Sequence, residues 1–533
     1  MPTAPTWVAL ALTVHLFCHV HEPRTAHGGF ALVLLSPALT FFIFIVTGAP
    51  PPSIISVLAS YTYFVISLGA SIVLYRLSPL HPLYHIPGPL LAKISKLYGL
   101  WMTWTGHQHI HMRRAHDKYG PVVRTGPNEV SIADVDAVTS VLGSGGLPKG
   151  QFYSARQDPA APANLLVLHG EPHANRRRLW NRGMSTESLS EYQQVIAKRA
   201  TQLLDAIADA GVLDFAAWIS YFTFDFMGDM AFGGGFELLA NPAERTDIWP
   251  LMGRFSVFMS FFTHVPWLAS SLLHVRIPVR DRMRKFGVEN ALRRSKSTAQ
   301  TKDLWYHLMD DAGLEKQKPP LGNVVADGAL AIVAGADTTA SVLSSLFFLL
   351  LSNPKYYEQL QAEIDVHFPP GADPLDPKPH ADMKFLNACI NETLRLHPPV
   401  RTSGPRQVPA DSQGKVIAGV FIPPCTQIYV PPYSLHHSSQ YFSPSPDAFL
   451  PERWLDPALA PSNPTAFIPF SYGPANCVGR NLARLEMNMV VCLLLSRLRF
   501  RFADGFEVEK WVEQMHDHFI TTKGALMVEV ERR

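Results

Sequence analysis

Phe470-Ser471-Tyr472-Gly473-Pro474-Ala475-Asn476-Cys477-Val478-Gly479-Arg480 is the stretch from which the rest of the chain is read. Gly473 permits a tight turn through positive φ. Gly479 allows close approach where a helical pattern over residues 478–498 begins. A cysteine at such a start meets orphan N–H groups and the positive end of the helix dipole, and both favour a thiolate. A thiolate held by backbone amides, with Phe470 earlier in the same loop, suits an axial ligand of iron. The competing reading is a buried structural thiol, the commonest fate of a free cysteine. Cys18, Cys389, Cys425 and Cys492 are read that way. Five scattered cysteines exclude a disulfide scaffold and a CxxC zinc ribbon.

Upstream, Ala334-Gly335-Ala336-Asp337-Thr338-Thr339 interrupts a long apolar helical pattern over residues 322–351. Glycine inside a helix costs about 1 kcal/mol relative to alanine. Asp and Thr are poor choices in a buried helix. Local rules broken together in one turn point to a functional site. Gly335 lets a ligand approach the backbone, and Asp337 with Thr338 offers a proton relay. The plain alternative is a threonine bonded back to its own helix beside a local aspartate. Glu392 and Arg395, in Glu392-Thr393-Leu394-Arg395, share a helix face, as do His173 and Arg177. Arg176, Arg178 and Arg182 read as a solvated face.

Taken together these residues resemble the cytochrome P450 family, of the eukaryotic, membrane-bound, fungal-like type. The loop matches Phe-x-x-Gly-x-x-x-Cys-x-Gly at Phe470, Gly473, Cys477 and Gly479. The resemblance runs from Pro87-Gly88-Pro89 to the C-terminus. It implies a mainly α fold with small β-sheets, and haem b with its iron ligated by Cys477. The turn at 334–339 would arch over the oxygen side of the haem, making Asp337 and Thr338 catalytic. Glu392 and Arg395 would be buried with Arg453, from Pro451-Glu452-Arg453-Trp454, as a structural clamp. His173, Arg177 and Arg406 would meet the propionates. Many relatives carry Arg or His two residues before the cysteine, where this chain has Ala475. By position, Ala334, Val400, Phe519 and Ile520 would line the substrate site. The apolar stretch 255–273 (with Phe258, Phe261, Phe262 and Trp267) would form an access channel.

Composition sets the surroundings. Of 533 residues, 47% are hydrophobic and only 17% charged, against roughly 25% charged in an average domain. Residues 1–80 carry only Glu22, Arg24 and Arg76. Apolar runs at 7–20, 30–46 and 54–75 give a membrane anchor of one to three helices. The last is long enough to span, since about 20 residues suffice. The first reads as a span, an interfacial segment or part of a signal peptide, although no Lys or Arg precedes it. Arg24, Arg76, Lys93 and Lys96 put the main body on the cytosolic side. Residues 81–90 form a Pro-rich hinge, and 91–533 one catalytic domain. A net charge of +2 without clustering argues against nucleic acid.

The expected function is oxygen insertion from O2 into a hydrophobic small molecule, terpenoid-, sterol- or polyketide-like, at the endoplasmic reticulum membrane. The chain has no flavin or NAD fingerprint, so electrons would come from NADPH through a separate cytochrome P450 reductase. A haem-thiolate isomerase or dehydratase, and a non-catalytic haem-binding membrane protein, are the rival classes. Thr338 counts against the first, and the Asp337-Thr338 pair against the second.

Overall fold

The computed structural model describes residues 3–21, 26–48, 50, 52–157, 161–242, 248–266, 278–296 and 302–533. Helix Leu321–Leu351 is the central beam: from Thr339 to Leu350 every residue is buried. Helix Phe215–Phe232 lies along it. A Cβ on Gly335 would meet Met227 Sδ at 2.5 Å, so that glycine lets two helices approach as well as facing open space. Phe215, Phe347 and Phe500 close the core beside them, with ring centroids 4.4 to 5.4 Å apart. Truncating one such buried phenylalanine costs about 3–5 kcal/mol. The helix that follows the cysteine, Arg480–Arg497, buries Glu486 through Leu495.

Small sheets sit at the edge of this bundle, which makes the chain mainly α as expected. Strands Val122–Gly126, Glu129–Ile132, Gln427–Tyr429 and Arg406–Gln407 form one sheet in that order. The first pair is antiparallel, with Val123 opposite Ser131. The central pair is parallel, with Val130 opposite Ile428. Val212–Asp214, Met527–Arg532 and Leu498–Phe502 make a second sheet. Asp214 ties it to the core, accepting from Ala216 N, Ala217 N and Leu526 N. The hairpin His516–His518 with Ile520–Thr522 turns at Phe519, whose φ is 75°.

The N-terminal helices are Ala4–Val20, Ala26–Val46 and Ile54–Leu77, longer at their ends than the three apolar runs. They pack on one another around Trp7, Phe41 and Phe64. Within them, Gly28–Val46 and Ile54–Leu77 are long and apolar enough to cross a bilayer. Leu321–Leu351 also qualifies by composition, but 72% of its apolar window is buried in the protein. Arg24 lies outside the described residues. The Pro-rich segment is stitched to the sheet: Arg124 N donates to Pro87 O at 2.7 Å. A Cβ on Gly88 would sit 2.2 Å from Arg124 O. The Arg124 guanidinium bonds Arg76 O, Pro127 O and His81 Nε2.

Glu392, Arg395 and Arg453 are all fully buried. Arg395 grips Glu392 with Nε at 2.9 Å and Nη2 at 2.7 Å. Arg453 Nε lies 3.5 Å from Glu392 Oε1. Trp454 Nε1 and Leu450 N also donate to Glu392. The remaining guanidinium N–H groups bond carbonyls of His436, Ser443, Pro444, Ser445, Pro446 and Ala448. The long irregular loop is thereby ordered from within.

Two expectations are corrected. Arg176 and Arg182 are not a solvated face. Arg176 pairs with buried Asp327 at 3.0 Å and Arg182 with buried Asp310 at 2.9 Å. A helix-wheel reading cannot see acids brought in by another element. Cys425 is exposed and Cys18 half-buried, so only Cys389 and Cys492 are the buried thiols expected.

Candidate active site

Gly473 has φ 71°, and a Cβ there would lie 2.1 Å from Leu142 O. Both facts demand glycine. The turn brings Cys477 N within 2.8 Å of Phe470 O. Phe470 is stacked by Arg484, 5.6 Å from its ring centre. Cys477 is accessible, and its open face borders a cavity of about 960 Å³. Burial pushes its thiol pKa up; the Gly479 N–H, Arg177 and Arg480 pull it down without winning. The helix start therefore does not ionise Cys477 unaided. A metal on the sulfur displaces the proton.

The same cavity is walled by Ala334, Gly335, Thr338 and Thr339 from the broken turn. Thr338 donates to Ala334 O at 2.7 Å, the back-bonded geometry of the plain alternative, yet it borders the cavity. Asp337 is not among the lining residues. Burial raises its carboxyl to about 6, moderated by Lys523. Lys523 is lowered to about 8 by burial, held up by Asp337 and Asp214. Its ammonium donates to Ser220 Oγ at 3.2 Å. The turn thus splits its polar pair, with Thr338 on the cavity wall and the Asp337 carboxyl within the influence of Lys523.

His173, Arg177 and Arg406 all line the cavity, and Lys149, not singled out in the sequence, joins them. Burial lowers His173 to about 4, with Lys149, Arg177 and Arg406 adding to the shift. Lys149 is lowered to about 7 by burial, then by Arg406 and Arg177. Arg406 Nε is buried and unpartnered. Arg177 is partly committed: its Nη1 and Nη2 bond Asn476 O and Oδ1 at 2.5 and 2.8 Å. It ties down the residue beside Ala475, whose methyl neutralises no charge.

These residues fit a haem. Among the described residues no three His, Cys, Asp or Glu side chains converge on a bare ion. A metal on Cys477 must bring its other ligands with it. The cation cluster with an orphaned Arg406 donor suits a group bearing carboxylates. Gly479 lines the cavity, and a Cβ on it would meet no protein atom within 4 Å, leaving the edge clear for a flat group.

Val400, Phe519 and Ile520 also reach the cavity. Of the apolar stretch 255–273, helix Ile248–Phe262 contributes Phe255, Phe258 and Phe262 to its wall. Phe261 instead packs on Trp104, 5.8 Å between centroids. Trp267 and residues 267–273 lie outside the described residues. Glu486 was missed by sequence reading. It is buried on the cavity wall with Oε1 unpartnered, and burial drives its pKa well up against a hydrogen bond from Thr339. Its neutral form is favoured. Only its place in the Cys477 helix hinted at it.

The cytochrome P450 family model matches residues 87–530. The chain is 30% identical over 526 residues to cytochrome P450 67 of Uromyces fabae, covering 94% of each. It is 33% identical over 457 residues to a cytochrome P450 monooxygenase of Aspergillus oryzae, covering 83% of this chain and 87% of that one. It is 31% identical over 491 residues to the tryprostatin B 6-hydroxylase of Aspergillus fumigatus, covering 88% of this chain and 84% of the relative. This chain, which sets a cysteine and the polar helix turn at 334–339 on the wall of one cation-rimmed cavity, belongs to the cytochrome P450 family of monooxygenases.

Proposed function

We propose that this protein is a membrane-anchored haem-thiolate monooxygenase acting on a hydrophobic small molecule in fungal specialised metabolism. One observation carries the reading: Cys477 and Thr338 border one cavity. Residues 1–80 form the anchor, 81–90 the hinge and 91–533 the catalytic domain. The anchor holds the protein in the endoplasmic reticulum membrane with the catalytic domain in the cytosol. Electrons come from NADPH through a cytochrome P450 reductase. Relatives with hydroxylase and monooxygenase names support the chemistry.

Cys477 would hold haem b by its iron, with Phe470, Gly473 and Gly479 shaping the bed beneath. His173, Lys149 and Arg406 would meet the propionates, with Arg177 steadying Asn476. Bound there, a thiolate-ligated haem supplies dioxygen activation, because the thiolate favours O–O cleavage. The protein's part is position, dryness and proton delivery. Asp337, with a carboxyl pKa near 6, exchanges a proton close to neutral pH. Thr338 Oγ1, which donates to Ala334 O, would pass a proton on by turning toward the cavity that the residue borders. Ala334, Val400, Phe519 and Ile520 hold the substrate against that turn. The Glu392–Arg395–Arg453 clamp keeps the cysteine loop in register.

Cys477→Ala tests the assignment. The variant is expected to lose the red-shifted ferrous–CO absorption and all NADPH-dependent product. A band unchanged in position and size removes Cys477 from the iron.

A further inference from the structure

Arg156 follows the short helix Gln151–Ser154 and lines the cavity, away from the cysteine loop in sequence. It is half-buried, and it also borders a small neighbouring pocket with Phe152, Ser260, Asp517 and Phe519. The guanidinium carbon lies 3.9 Å from the centre of the Phe519 ring and 5.3 Å from that of Phe152. Its Nη2 reaches Ser260 Oγ at 3.4 Å, and its Nε is buried with no partner. Burial lowers its pKa to about 10, so it remains cationic at neutral pH.

A buried guanidinium ordinarily sits on a carboxylate. The acid that Arg156 feels is Asp517, and Asp517 is engaged elsewhere. Its oxygens accept from Thr402 Oγ1 and Phe519 N, and Oδ2 lies 3.9 Å from His109 Nδ1. A second guanidinium, Arg401, also feels Asp517. Its donors go to Thr521 Oγ1, His109 Nε2 and Met515 Sδ. Burial keeps His109, His264 and His518 neutral. Arg156 and Arg401 therefore share one carboxylate, and of the two only Arg156 lines the cavity.

The cations assigned to the haem carboxylates form a cluster of their own. Lys149, His173, Arg177 and Arg406 shift one another. Arg156 is set among Phe152, Phe519 and Ser260 instead. The mount is also rigid. Phe519 stacks on the guanidinium from a left-handed turn, φ 75°, a conformation that persists only where the surroundings impose it. Asp517 supplies part of that constraint through the Phe519 N–H. The walls beyond Arg156 include Phe255, Phe258, Met259, Phe262 and Val288.

We propose that Arg156 is a substrate-binding residue, and that the substrate is a hydrophobic molecule carrying a carboxylate which docks on its guanidinium. The assignment rests on the monooxygenase reading above and adds the polar end of the substrate. A fixed, weakly hydrated guanidinium recognises a carboxylate by charge-assisted hydrogen bonds. An ester of the same skeleton keeps the apolar body and loses the charge.

The test uses the full-length, haem-loaded protein in membranes. Tetradecanoic acid and abietic acid, each beside its methyl ester, are titrated by the substrate-induced shift of the haem spectrum. At least one acid is expected to bind about tenfold tighter than its ester. Arg156→Gln is expected to remove that preference and leave ester affinity unchanged, while Arg156→Lys keeps part of it. Equal affinity in both pairs, or a preference that survives Arg156→Gln, overturns the proposal. Equal loss of acid and ester in Arg156→Gln overturns it too, since the residue then serves a neutral acceptor or the fold. Should Arg156→Gln fail to load haem, the wild-type ratio and Arg156→Lys decide by the same criteria. The two readings separate cleanly. A wild-type protein without the ferrous–CO band sinks the monooxygenase reading, whereas a normal band without acid preference sinks only Arg156.

Discussion

Asp337 sits in an environment that disfavours its charge. Its carboxyl is raised to about 6 by burial, and Lys523 is what keeps it from rising further. Removing that cation disfavours the carboxylate, so the protonated form persists to higher pH. Lys523→Met is thus expected to shift the acidic limb of product formed per NADPH toward alkaline pH. An unmoved profile would disconnect Lys523 from Asp337. Gly473 carries a prediction of a different kind. An added methyl at φ 71° has no room against Leu142 O. Gly473→Ala is expected to reduce haem incorporation at least several-fold, read as the ratio of haem absorbance to protein. Full loading in that variant would show that the loop tolerates what the packing forbids.

At the scale of elements, the buried Glu392–Arg395–Arg453 clamp holds the loop at 443–454 to helix Lys384–Leu396. Removing one partner of a buried ion pair strands the other charges, at about 3–5 kcal/mol. Glu392→Gln leaves two buried guanidiniums facing a neutral amide. A loss of about 3 kcal/mol or more in urea unfolding is expected. A loss below about 1 kcal/mol would mean that the carbonyls of residues 443–448 satisfy the arginines without it. Helix Phe215–Phe232 and the central beam show the other kind of joint, a dry one, in which Gly335 makes room for Met227.

At the scale of the whole molecule, the anchor is followed by an apolar apron. Leu80, Leu90, Leu91, Leu97 and Trp104 are each at least 60% exposed, and Tyr84 and Trp101 about half. Large apolar side chains left exposed together in one segment mark an interaction face. A chain lacking residues 1–77 is therefore expected to bind lipid vesicles still, and to resist release by high salt. Complete recovery in the supernatant would place all membrane affinity in the first three helices.

The apolar runs, the broken turn at 334–339 and the loop at 470–480 are written locally. Each is a breach of helix or loop chemistry within a few residues, so sequence alone determined the fold class, the cysteine and the membrane character. Helix Phe215–Phe232 escaped because it is apolar all round and carries no amphipathic stripe to read. Lys149, Arg156 and Glu486 escaped because nothing beside them in the chain distinguishes them from surface charges. Their meaning lies in what is absent near them, such as the unpartnered Nε of Arg156 and Arg406. Arg176 erred in the opposite direction, its partner Asp327 arriving from another helix. Only tertiary structure decided these cases. Desolvation and pairing are properties of a neighbourhood assembled from distant segments, and no one segment contains that neighbourhood.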